Sequence, residues 1–514
     1  MQQETDISKK RNLLSIFANT FFILMFLCAA AFAVYVINLS ILPLNYSIIL
    51  CAALLVLTAL IFIIFIRKRS ETKEKHRKAK DISAIIICIV MITLLAFLTW
   101  YIAVFADSLN KVNEKVSHTT LSVRVLKDSG YAKINDLDGV SIGINKGIDE
   151  KNTDYAVQQL REKLEDGLNI VEYTDYKAQI EALYNGEVGA VIMNESIVTT
   201  LNDLYEGFVD DTEIIISLKH DTTEAEISEN DLTTKAFNVY LSGGDNYGEI
   251  EENGRSDVNI IANVNPVTKN VVLINVPRDY YVALDGDADK MDKLTHAGVY
   301  GIECSMDTVA SLLNTPIDYY VKVNFSSVAQ IIDALGGINV YSPMTFILDD
   351  DDRTRYFYYE GYNEMSGKMA VRFCREREQM LQGDIDRGKN QENVIKAIIE
   401  KATSPAIITN FSGVLNAITD NCITNVSTDS IMSLIQMQLA DMSSWNITMY
   451  TLSGYDDSGY TYTGGSEELY VMAPEVDTIE TAKLLLRNNM LMPDDKALNI
   501  PDTATLVQNQ KKSE

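Results

Sequence analysis

The sequence predicts an α/β protein that is anchored by three N-terminal transmembrane helices. Three observations predict this fold class. Residues 1–105 contain three long apolar runs, residues 117–221 alternate strand-like and helix-like segments, and residues 235–492 carry further strand-like runs and amphipathic helices. With 514 residues, the chain is too long for one ordinary domain. The acidic segment 222–234 is the expected linker between the two α/β regions, and the polar tail 493–514 is expected to be disordered.

Each of the three apolar runs is long enough to cross a membrane. The runs comprise residues 12–37, 44–66 and 82–105. A helix of about 20 residues spans a hydrocarbon core of about 30 Å, so each run is predicted to form a transmembrane helix. A cleaved signal peptide that ends near residues 31–33 is the alternative for the first run, and it would leave the other two spans in place.

The basic residues near these runs indicate their orientation. Lys9, Lys10 and Arg11 precede the first run, and the basic loop 67–80 joins the second run to the third. The loop between the first two runs carries no charge. Because Lys and Arg favour the cytoplasmic side, we expect the amino terminus and the loop 67–80 in the cytoplasm. Everything after about Ala106 is then expected outside.

The charge of the chain excludes one class of partner. The sequence holds 71 acidic against 44 basic side chains, which gives a formal net charge of -27, although residues 1–105 are basic on balance. Nucleic-acid binding requires a broad basic face, which the acidic exported part is not expected to have. Any anion site in this protein must therefore be local.

Residues 117–221 have the pattern of an α/β unit. LSVRVL, VSIGIN and VGAVIMN are typical of strands, and TDYAVQQLREKLEDG and YKAQIEALYNG are typical of amphipathic helices that end at glycine. We expect these strands to pair in parallel. The region loosely resembles one lobe of a periplasmic solute-binding protein. We favour a structural or docking role over a sensor role, because no ligand-binding residue stands out.

Residues 371–391, VRFCREREQMLQGDIDRGKNQ, contain the arginines Arg372, Arg375, Arg377 and Arg387. If VRFCRER is extended, the side chains of Phe373, Arg375 and Arg377 share one face. The segment that follows has helical apolar spacing, which makes Arg387 and Gln391 neighbours on one helix face. Guanidinium groups from a strand and from a helix start would form a forked site for a phosphate.

A surface lattice of ion pairs is the alternative interpretation of these arginines. The available acids are Glu376, Glu378, Asp384 and Asp386. Exposed pairs of this kind are common and contribute little to stability. Because the acids lie on adjacent positions while the arginines recur on one face, we favour the anion site.

Aspartates near the predicted phosphate site need a cation between them and the phosphate. Asp245, Asp257 and Asp279 follow or precede strand-like runs. Mg²⁺ or Mn²⁺ bound by Asp245 and Asp257 and by diphosphate oxygens would offset the repulsion. The alternative is a turn or cap role, which for Asp279 is equally favoured. The nearby Lys293 and His296 stay open, with a structural role expected for His296.

Nine motifs in this order resemble the LytR-CpsA-Psr (LCP) family of cell-envelope proteins. They are GGDNYG, RSD, NP, PRD, DKLTHA, DYYVKVNF, IDALGGINVY, RFCRER and GDIDRGKNQ. The resemblance is close over 235–405 and looser beyond it. Three spans followed by an accessory domain, 117–221, are similar to the streptococcal capsule-type branch. The resemblance implies that residues 235–492 form an exported catalytic domain of α/β/α type with a central mixed sheet.

The resemblance also implies roles for individual residues. It assigns diphosphate binding to Arg255, Arg278, Arg375, Arg377, Arg387 and Gln391. It assigns metal binding to Asp245 and Asp257. The predicted catalytic residues are Asp257, Arg278, Arg375 and Arg377. Many family members have a second arginine just before the glutamine, where this chain has Asn390, so the phosphate grip or the substrate preference is expected to differ.

The implied activity is a phosphoryl transfer outside the membrane. A polyprenyl-diphosphate-linked glycan would donate its glycan phosphate to peptidoglycan, which anchors capsule, teichoic acid or another secondary wall polymer. Positioning and charge neutralisation would supply most of the catalysis. Two alternatives stay open: a polyprenyl-diphosphate phosphatase, and a non-enzymatic membrane regulator of polysaccharide assembly. The predicted location is the bacterial plasma membrane, with several spans and no nucleic-acid partner.

Overall fold

A computed structural model of the chain divides into two units. One comprises Met1–Lys111 with Ile431–Met442, and the other comprises Val112–Ser430 with Ser443–Glu514. The structure describes residues 2–38, 44–66, 74–110, 117–146, 149–164, 167–205, 207–222, 231–244, 250, 253–349, 354–405, 413–414, 416–418, 420–464, 468–493 and 495. Most of the predicted acidic linker and almost all of the predicted tail lie outside these residues.

The first unit contains the three predicted membrane helices. They are α1 (Gln2–Asn38), α2 (Leu44–Ile61), which continues as a π-helical turn, and α3 (Glu74–Asn110). Their segments Leu13–Asn38, Tyr46–Ile64 and Lys78–Ala103 are long and apolar enough to cross a membrane. Most of their large apolar side chains are exposed, as a lipid environment requires. These helices therefore provide a membrane anchor, while its sidedness stays a prediction.

The second unit begins with a five-stranded sheet in the order β3-β2-β4-β1-β5. Its strands are β1 (Ser117–Leu126), β2 (Ser141–Asn145), β3 (Asn169–Tyr173), β4 (Ala190–Asn194) and β5 (Thr212–Thr222). Its helices are α4 (Glu150–Leu164), α5 (Tyr176–Tyr184), α6 (Glu195–Leu204) and α7 (Phe208–Asp211). We call residues 117–222 the five-stranded lobe.

The prediction of parallel pairing in this lobe is wrong for two strand pairs. β2 runs parallel to β3 and β4, but β1 is antiparallel to β4 and to β5. β1 lies between β4 and β5 and runs opposite to both, and the sequence analysis did not predict β5, which pairs with β1 over its whole length. Alternate residues of β4 belong to two different cores, so the lobe has a core on each face of its sheet.

A six-stranded sheet in the order β16-β11-β6-β7-β8-β17 follows. Its strands are β6 (Phe237–Gly244), β7 (Val258–Asn265), β8 (Asn270–Asn275), β11 (Tyr319–Asn324), β16 (Ile423–Thr424) and β17 (Asn446–Thr451). β6, β7 and β8 form an antiparallel meander, whereas β11 is parallel to β6 and β17 is parallel to β8. The predicted central mixed sheet is therefore confirmed.

Helices cover both faces of this sheet. On one face lie α8 (Leu294–Ala297), α9 (Ile302–Leu313) and the C-terminal helix Val476–Asn489. On the other lie α10 (Phe325–Ala334), α11 (Gly367–Arg375) and α12 (Asp384–Ala402). Side chains of β11 alternate between the two cores, which confirms the predicted α/β/α layers. A further helix, Thr428–Asp441, lies between β16 and β17 in the sequence.

The described residues of the second unit also form four two-stranded antiparallel sheets. Their strands are β9 (Tyr281–Ala283) with β10 (Met291–Lys293), β12 (Ile338–Ser342) with β15 (Gly361–Met365), β13 (Phe346–Asp349) with β14 (Arg355–Tyr358), and β18 (Gly454–Tyr460) with β19 (Glu468–Pro474). The hairpin β9–β10 follows the exit of β8 and leads directly into α8.

The prediction that VRFCRER is extended is wrong, because residues up to Arg375 belong to α11. The helix starts after Ser366, whose hydroxyl accepts a hydrogen bond from the amide of Met369. Its buried residues have helical spacing, and they are Gly367, Ala370, Val371, Phe373 and Cys374. The helix cap, Ser366, and the first apolar residues of the helix lie before Val371, so the segment VRFCRER does not contain these helix signals. The predicted helix that follows is confirmed as α12.

We predict that Gly367→Ala destabilises the fold. A Cβ at this position would lie 2.1 Å from the carbonyl oxygen of Ala329, so α10 and α11 would have to move apart. Overpacking of this kind costs about 1–3 kcal/mol, which a urea or thermal unfolding curve of the full-length protein measures. Gly413→Ala is the matched control, because no atom lies within 4 Å of its added Cβ. Equal stability of both variants would contradict the close approach.

Candidate active site

One cavity of about 330 Å³ lies at the end of the six-stranded sheet. It is lined by Arg255, Asp257, Arg278, Phe325, Cys374, Arg375, Arg377, Arg387 and Gln391. The structure thus brings together all five arginines of the predicted diphosphate site, with Gln391 and one of the two predicted metal ligands. With five guanidinium groups against one carboxylate, the lining is strongly cationic and suits a multiply charged anion.

The sheet topology explains why distant segments meet here. β6 ends at Gly244, β7 begins at Val258 and β8 ends at Asn275, and all three points share one edge because β7 is antiparallel to both neighbours. Asp257 immediately precedes β7, and its amide donates to the carbonyl of Gly243 at 2.8 Å. Arg278 follows the exit of β8.

The helices bring the remaining guanidinium groups. Arg375 is the last residue of α11, Arg377 follows two residues later, and Arg387 lies in the first turn of α12. Helix α12 approaches β8 closely at Gly388, where a Cβ would lie 2.0 Å from the side-chain Nδ2 of Asn275. Glycine at this position therefore allows the first turn of α12, which carries Arg387, to pack against the end of the sheet.

Arg278 is the centre of the charge network at the cavity wall. Its Nη1 donates to Oδ1 of Asp257 at 2.9 Å, while its Nε lies 3.5 Å from Asp279 and 3.8 Å from Asp384. Burial lowers the pKa of this guanidinium, but the three carboxylates outweigh burial and raise the pKa above its ordinary value. Arg278 therefore stays charged and orients the carboxylate of Asp257.

The alternative lattice of surface ion pairs is present only in part. Arg387 pairs with Asp384, and Asp386 pairs with Lys389 at 2.8 Å. Burial raises the pKa of Asp384 and lowers the pKa of Arg387, so this pair is held in a poorly solvated place. Within the described residues, no ion pair is formed by Arg377.

Two further contacts position the lining. The guanidinium of Arg375 stacks over the ring of Phe325, with 4.9 Å between Cζ and the ring centroid. Nε2 of Gln391 donates to the carbonyl of Cys374 at 3.4 Å, which links α12 to α11. Arg372 lies outside the cavity lining and instead stacks on Tyr356 at 5.6 Å.

Comparison with known proteins matches this region to one family. The model of the LytR_cpsA_psr family covers residues 206–480, which is more than half of the chain. The chain belongs to the LytR-CpsA-Psr family. The resemblance predicted from the sequence motifs is therefore confirmed, and with it the predicted class of enzyme, a transferase of the cell envelope.

Curated relatives of this LCP protein carry a common name. The polyisoprenyl-teichoic acid–peptidoglycan teichoic acid transferase TagU of Bacillus anthracis is 29% identical over 253 residues, which is 49% of this chain and 78% of the relative. TagU of Enterococcus faecalis is 37% identical over 202 residues, 38% of this chain and 64% of the relative. The match to TagU of B. anthracis covers most of that protein.

The chain is also similar to solved structures, two of which are TagV and TagT. TagV of B. subtilis has 25% identity and a TM-score of 0.43, with 50% of this chain and 98% of that chain covered. TagT bound to LIIa-WTA has 26% identity and a TM-score of 0.40, with 51% and 94% covered. A second family model, DNA polymerase processivity factor, matches residues 77–193, which is less than half of the chain and shows no membership.

The positions left open by the sequence fall beside the cavity of this LCP protein, outside its lining. Asp279 pairs with Lys293 at 3.4 Å as well as with Arg278. His296 is buried, and its Nδ1 lies 2.6 Å from Oδ1 of Asp292. Asn390, at the position where the family resemblance led us to expect an arginine, is buried, and its side-chain amide donates to the sulfur of Met380.

The predicted metal site can be tested at one of its two ligands. Asp257 lines the cavity, and its Oδ1 accepts from Arg278 and from Thr295, while no described residue bonds its Oδ2. A carboxylate oxygen that accepts no hydrogen bond from a described residue can bind a hard cation whose other ligands are diphosphate oxygens and water. Asp245 lies outside the described residues. Among the residues with described positions, no group of three His, Cys, Asp or Glu side chains could hold a metal. Bound Mg²⁺ or Mn²⁺ stays a prediction.

Sequence reasoning missed two groups behind the lining. The first is Thr295, whose hydroxyl donates to Asp257 at 3.1 Å. Glu392 is almost wholly buried next to Gln391, and its Oε2 accepts from the hydroxyl of Thr451 at 2.7 Å. Burial raises the pKa of Glu392 to about 8, with only partial compensation by this hydrogen bond. Its position in an apolar helix register was the available signal.

We predict that the stability of the protein falls with rising pH because of Glu392. The pKa of Glu392 is about 8 in the folded protein, above the unfolded value of 4.5. Between these two pH values the folded protein binds the proton and the unfolded chain does not, so the free energy of unfolding falls as the pH rises. Relative to Glu392→Gln, the wild-type free energy of unfolding should fall by up to about 1.4 kcal/mol per pH unit in this window.

Unfolding curves in urea at several pH values measure this effect. Glu400→Gln is the control, since Glu400 lies on the same helix with its side chain about half exposed. A pH dependence that is identical in wild type and Glu392→Gln would show that Glu392 does not titrate as described.

Proposed function

We propose that this protein transfers a glycan phosphate from a polyprenyl-diphosphate carrier to peptidoglycan, and so attaches a secondary polymer to the cell wall. The observation that carries the proposal is the cavity in which five arginines surround one lining carboxylate, Asp257, in a chain of the LCP family. Relatives of the chain are named as transferases of polyisoprenyl-linked teichoic acid to peptidoglycan. Teichoic acid and capsule glycans are the proposed polymers.

The arginines bind and orient the diphosphate of the donor. Arg375 and Arg377 approach from the end of α11, Arg387 from α12, and Arg255 and Arg278 from the edge of the sheet. Their planar guanidinium groups pair with phosphate oxygens in two-point contacts. The poorly solvated wall strengthens these contacts and stabilises charge that develops on the leaving phosphate.

The reaction is a displacement at the glycan-side phosphorus. A muramic-acid hydroxyl of peptidoglycan attacks, a new bond forms from its oxygen to that phosphorus, and the bond from the phosphorus to the bridging oxygen breaks. Polyprenyl phosphate leaves with the bridging oxygen and the bonding electron pair. Asp257 accepts the hydroxyl proton, with Arg278 and Thr295 fixing the orientation of its carboxylate.

A divalent cation completes this proposal. Mg²⁺ or Mn²⁺ held by Asp257, with Asp245 as the second ligand, would neutralise charge on the diphosphate oxygens. The lining arginines would contribute to the same task, so the cation and the guanidinium groups would divide the charge of the donor between them.

The proposed location is the plasma membrane of a bacterium. The three membrane helices, with basic residues before the first and between the second and third, favour a cytoplasmic amino terminus and an extracellular second unit. A donor that carries a polyprenyl chain would be confined to the same bilayer as this protein.

We predict that Arg377→Ala lowers the rate of polymer transfer about 10²–10³-fold, because it removes one charge-stabilising donor from the lining. Transfer of radiolabelled lipid-linked glycan to peptidoglycan by the full-length protein measures the rate. Arg372→Ala is the matched control, since Arg372 lies on α11 five residues before Arg377 and stacks on Tyr356 away from the cavity. Equal rates in the two variants would refute the role of the lining arginines.

We predict that polyprenyl phosphate is released only when peptidoglycan is present. The purified protein is incubated with lipid-linked glycan, with and without the acceptor, and released lipid phosphate and wall-bound polymer are quantified. One polymer attached for each lipid phosphate released is the expected result. Release at the same rate without peptidoglycan would identify the protein as a phosphatase. Binding of the donor without any release would identify it as a non-enzymatic regulator.

A further inference from the structure

A short buried segment, Leu294–Tyr300, connects the cavity to the five-stranded lobe. It consists of α8 and the single 3-10 turn that follows it. Every residue from Leu294 to Val299 is buried. We call it the connecting segment. Its two ends contact different parts of the second unit.

The first end of the connecting segment holds the catalytic carboxylate. The hydroxyl of Thr295 donates to Oδ1 of Asp257 at 3.1 Å, and the amide of Thr295 donates to the carbonyl of Arg278 at 2.8 Å. The carbonyl of Thr295 in turn accepts from the amide of Ser256 at 3.1 Å. Thr295 therefore ties the backbone beside Asp257 to the backbone of Arg278.

The other end of the connecting segment lies in the core of the five-stranded lobe. Val299 has 0% of its surface exposed and belongs to the same apolar cluster as Tyr176, Ile197 and Leu201 of that lobe. Tyr300 packs against this cluster and against the core of the six-stranded sheet. Its hydroxyl also shares a hydrogen bond of 2.8 Å with Thr463.

The middle of the connecting segment leaves no room for independent movement. The amide of Gly254 donates to the carbonyl of Gly298 at 2.9 Å. A Cβ at Gly298 would lie 2.3 Å from the carbonyl oxygen of Gly254 and 3.0 Å from the amide nitrogen of Ser256. A shift of Val299 is therefore transmitted to residues 254–257, which carry Arg255 and Asp257.

We propose that the five-stranded lobe positions the catalytic carboxylate through the connecting segment, with Val299 and Thr295 as positioning residues. The proposal rests on the proposed transfer reaction, in which Asp257 accepts the hydroxyl proton. Proton transfer requires Asp257 at hydrogen-bond distance from the attacking hydroxyl, so a small displacement slows the chemical step. Three of the five lining arginines, Arg375, Arg377 and Arg387, lie on or just after α11 and on α12, outside residues 254–257, so donor binding is affected less than the chemical step.

The test uses the full-length protein in detergent, at a temperature at which every variant is folded. Val299→Ala and Thr295→Val are each expected to lower kcat for polymer transfer about 5- to 20-fold, with little change in KM for the donor. Because both act on Asp257 along one path, the double variant should be no slower than Thr295→Val alone. Thr295→Ser keeps the hydroxyl donor and should restore kcat.

A control variant separates positioning from general loss of packing. Leu160 is fully buried in the core on the opposite face of the five-stranded sheet, in a cluster that excludes Val299. Leu160→Ala should destabilise the lobe while leaving kcat at the wild-type value. Hydrogen exchange gives a readout that is independent of activity: the amides of Gly254 and Ser256 should exchange faster in Val299→Ala and at the wild-type rate in Leu160→Ala.

The outcomes distinguish this proposal from the proposed function. The proposal is supported if Val299→Ala lowers kcat and the double variant is no slower than Thr295→Val alone. Faster exchange of the amides of Gly254 and Ser256 in Val299→Ala is the third supporting result. Wild-type kcat in Val299→Ala, additive losses in the double variant, or an equal loss in Leu160→Ala overturns it. If the wild-type chain transfers no polymer, the proposed function is wrong, and the exchange rates alone decide whether the lobe positions the loop.

Discussion

Five guanidinium groups that line one cavity repel one another, and the surrounding structure has to offset that repulsion. Arg278 shows how this is done: three carboxylates lie within ion-pair distance of it, and only Asp257 among them lines the cavity. Two of the three acids therefore neutralise the cluster from behind, while the cavity surface stays cationic. An acidic protein can in this way keep a strongly basic site without a basic exterior.

The same constraint explains why the site is built from so many separate segments. Each arginine that faces the cavity needs its own backbone support, and one helix or strand cannot aim five long side chains at one point. The edge of the sheet supplies Arg255 and Arg278, while the ends of two helices supply the rest. Close packing at Gly367 and Gly388 fixes those helices against their neighbours. The packing that stabilises the core therefore also fixes the geometry of the site.

Local patterns predicted part of this arrangement and missed the rest for physical reasons. The isoleucine spacing of α12 is a strong helical signal, and the helix is present. α11 was missed because its cap, Ser366, lies before the stretch that was interpreted as a strand. The link from Thr295 to Asp257 depends on how α8 packs between two lobes, which no local pattern encodes. The excess of arginines in an acidic chain did predict a local anion site, but Arg372, from the same stretch, lies outside it.

The dimensions of the cavity limit what this protein can recognise. At about 330 Å³, the cavity is near the lower end of ordinary ligand pockets, so it can enclose the charged head of a donor and little beyond it. The remainder of a long glycan must extend into solvent, where no contact with the cavity distinguishes a short chain from a long one. Under the proposed transfer, any selection by chain length would have to come from contacts outside this cavity.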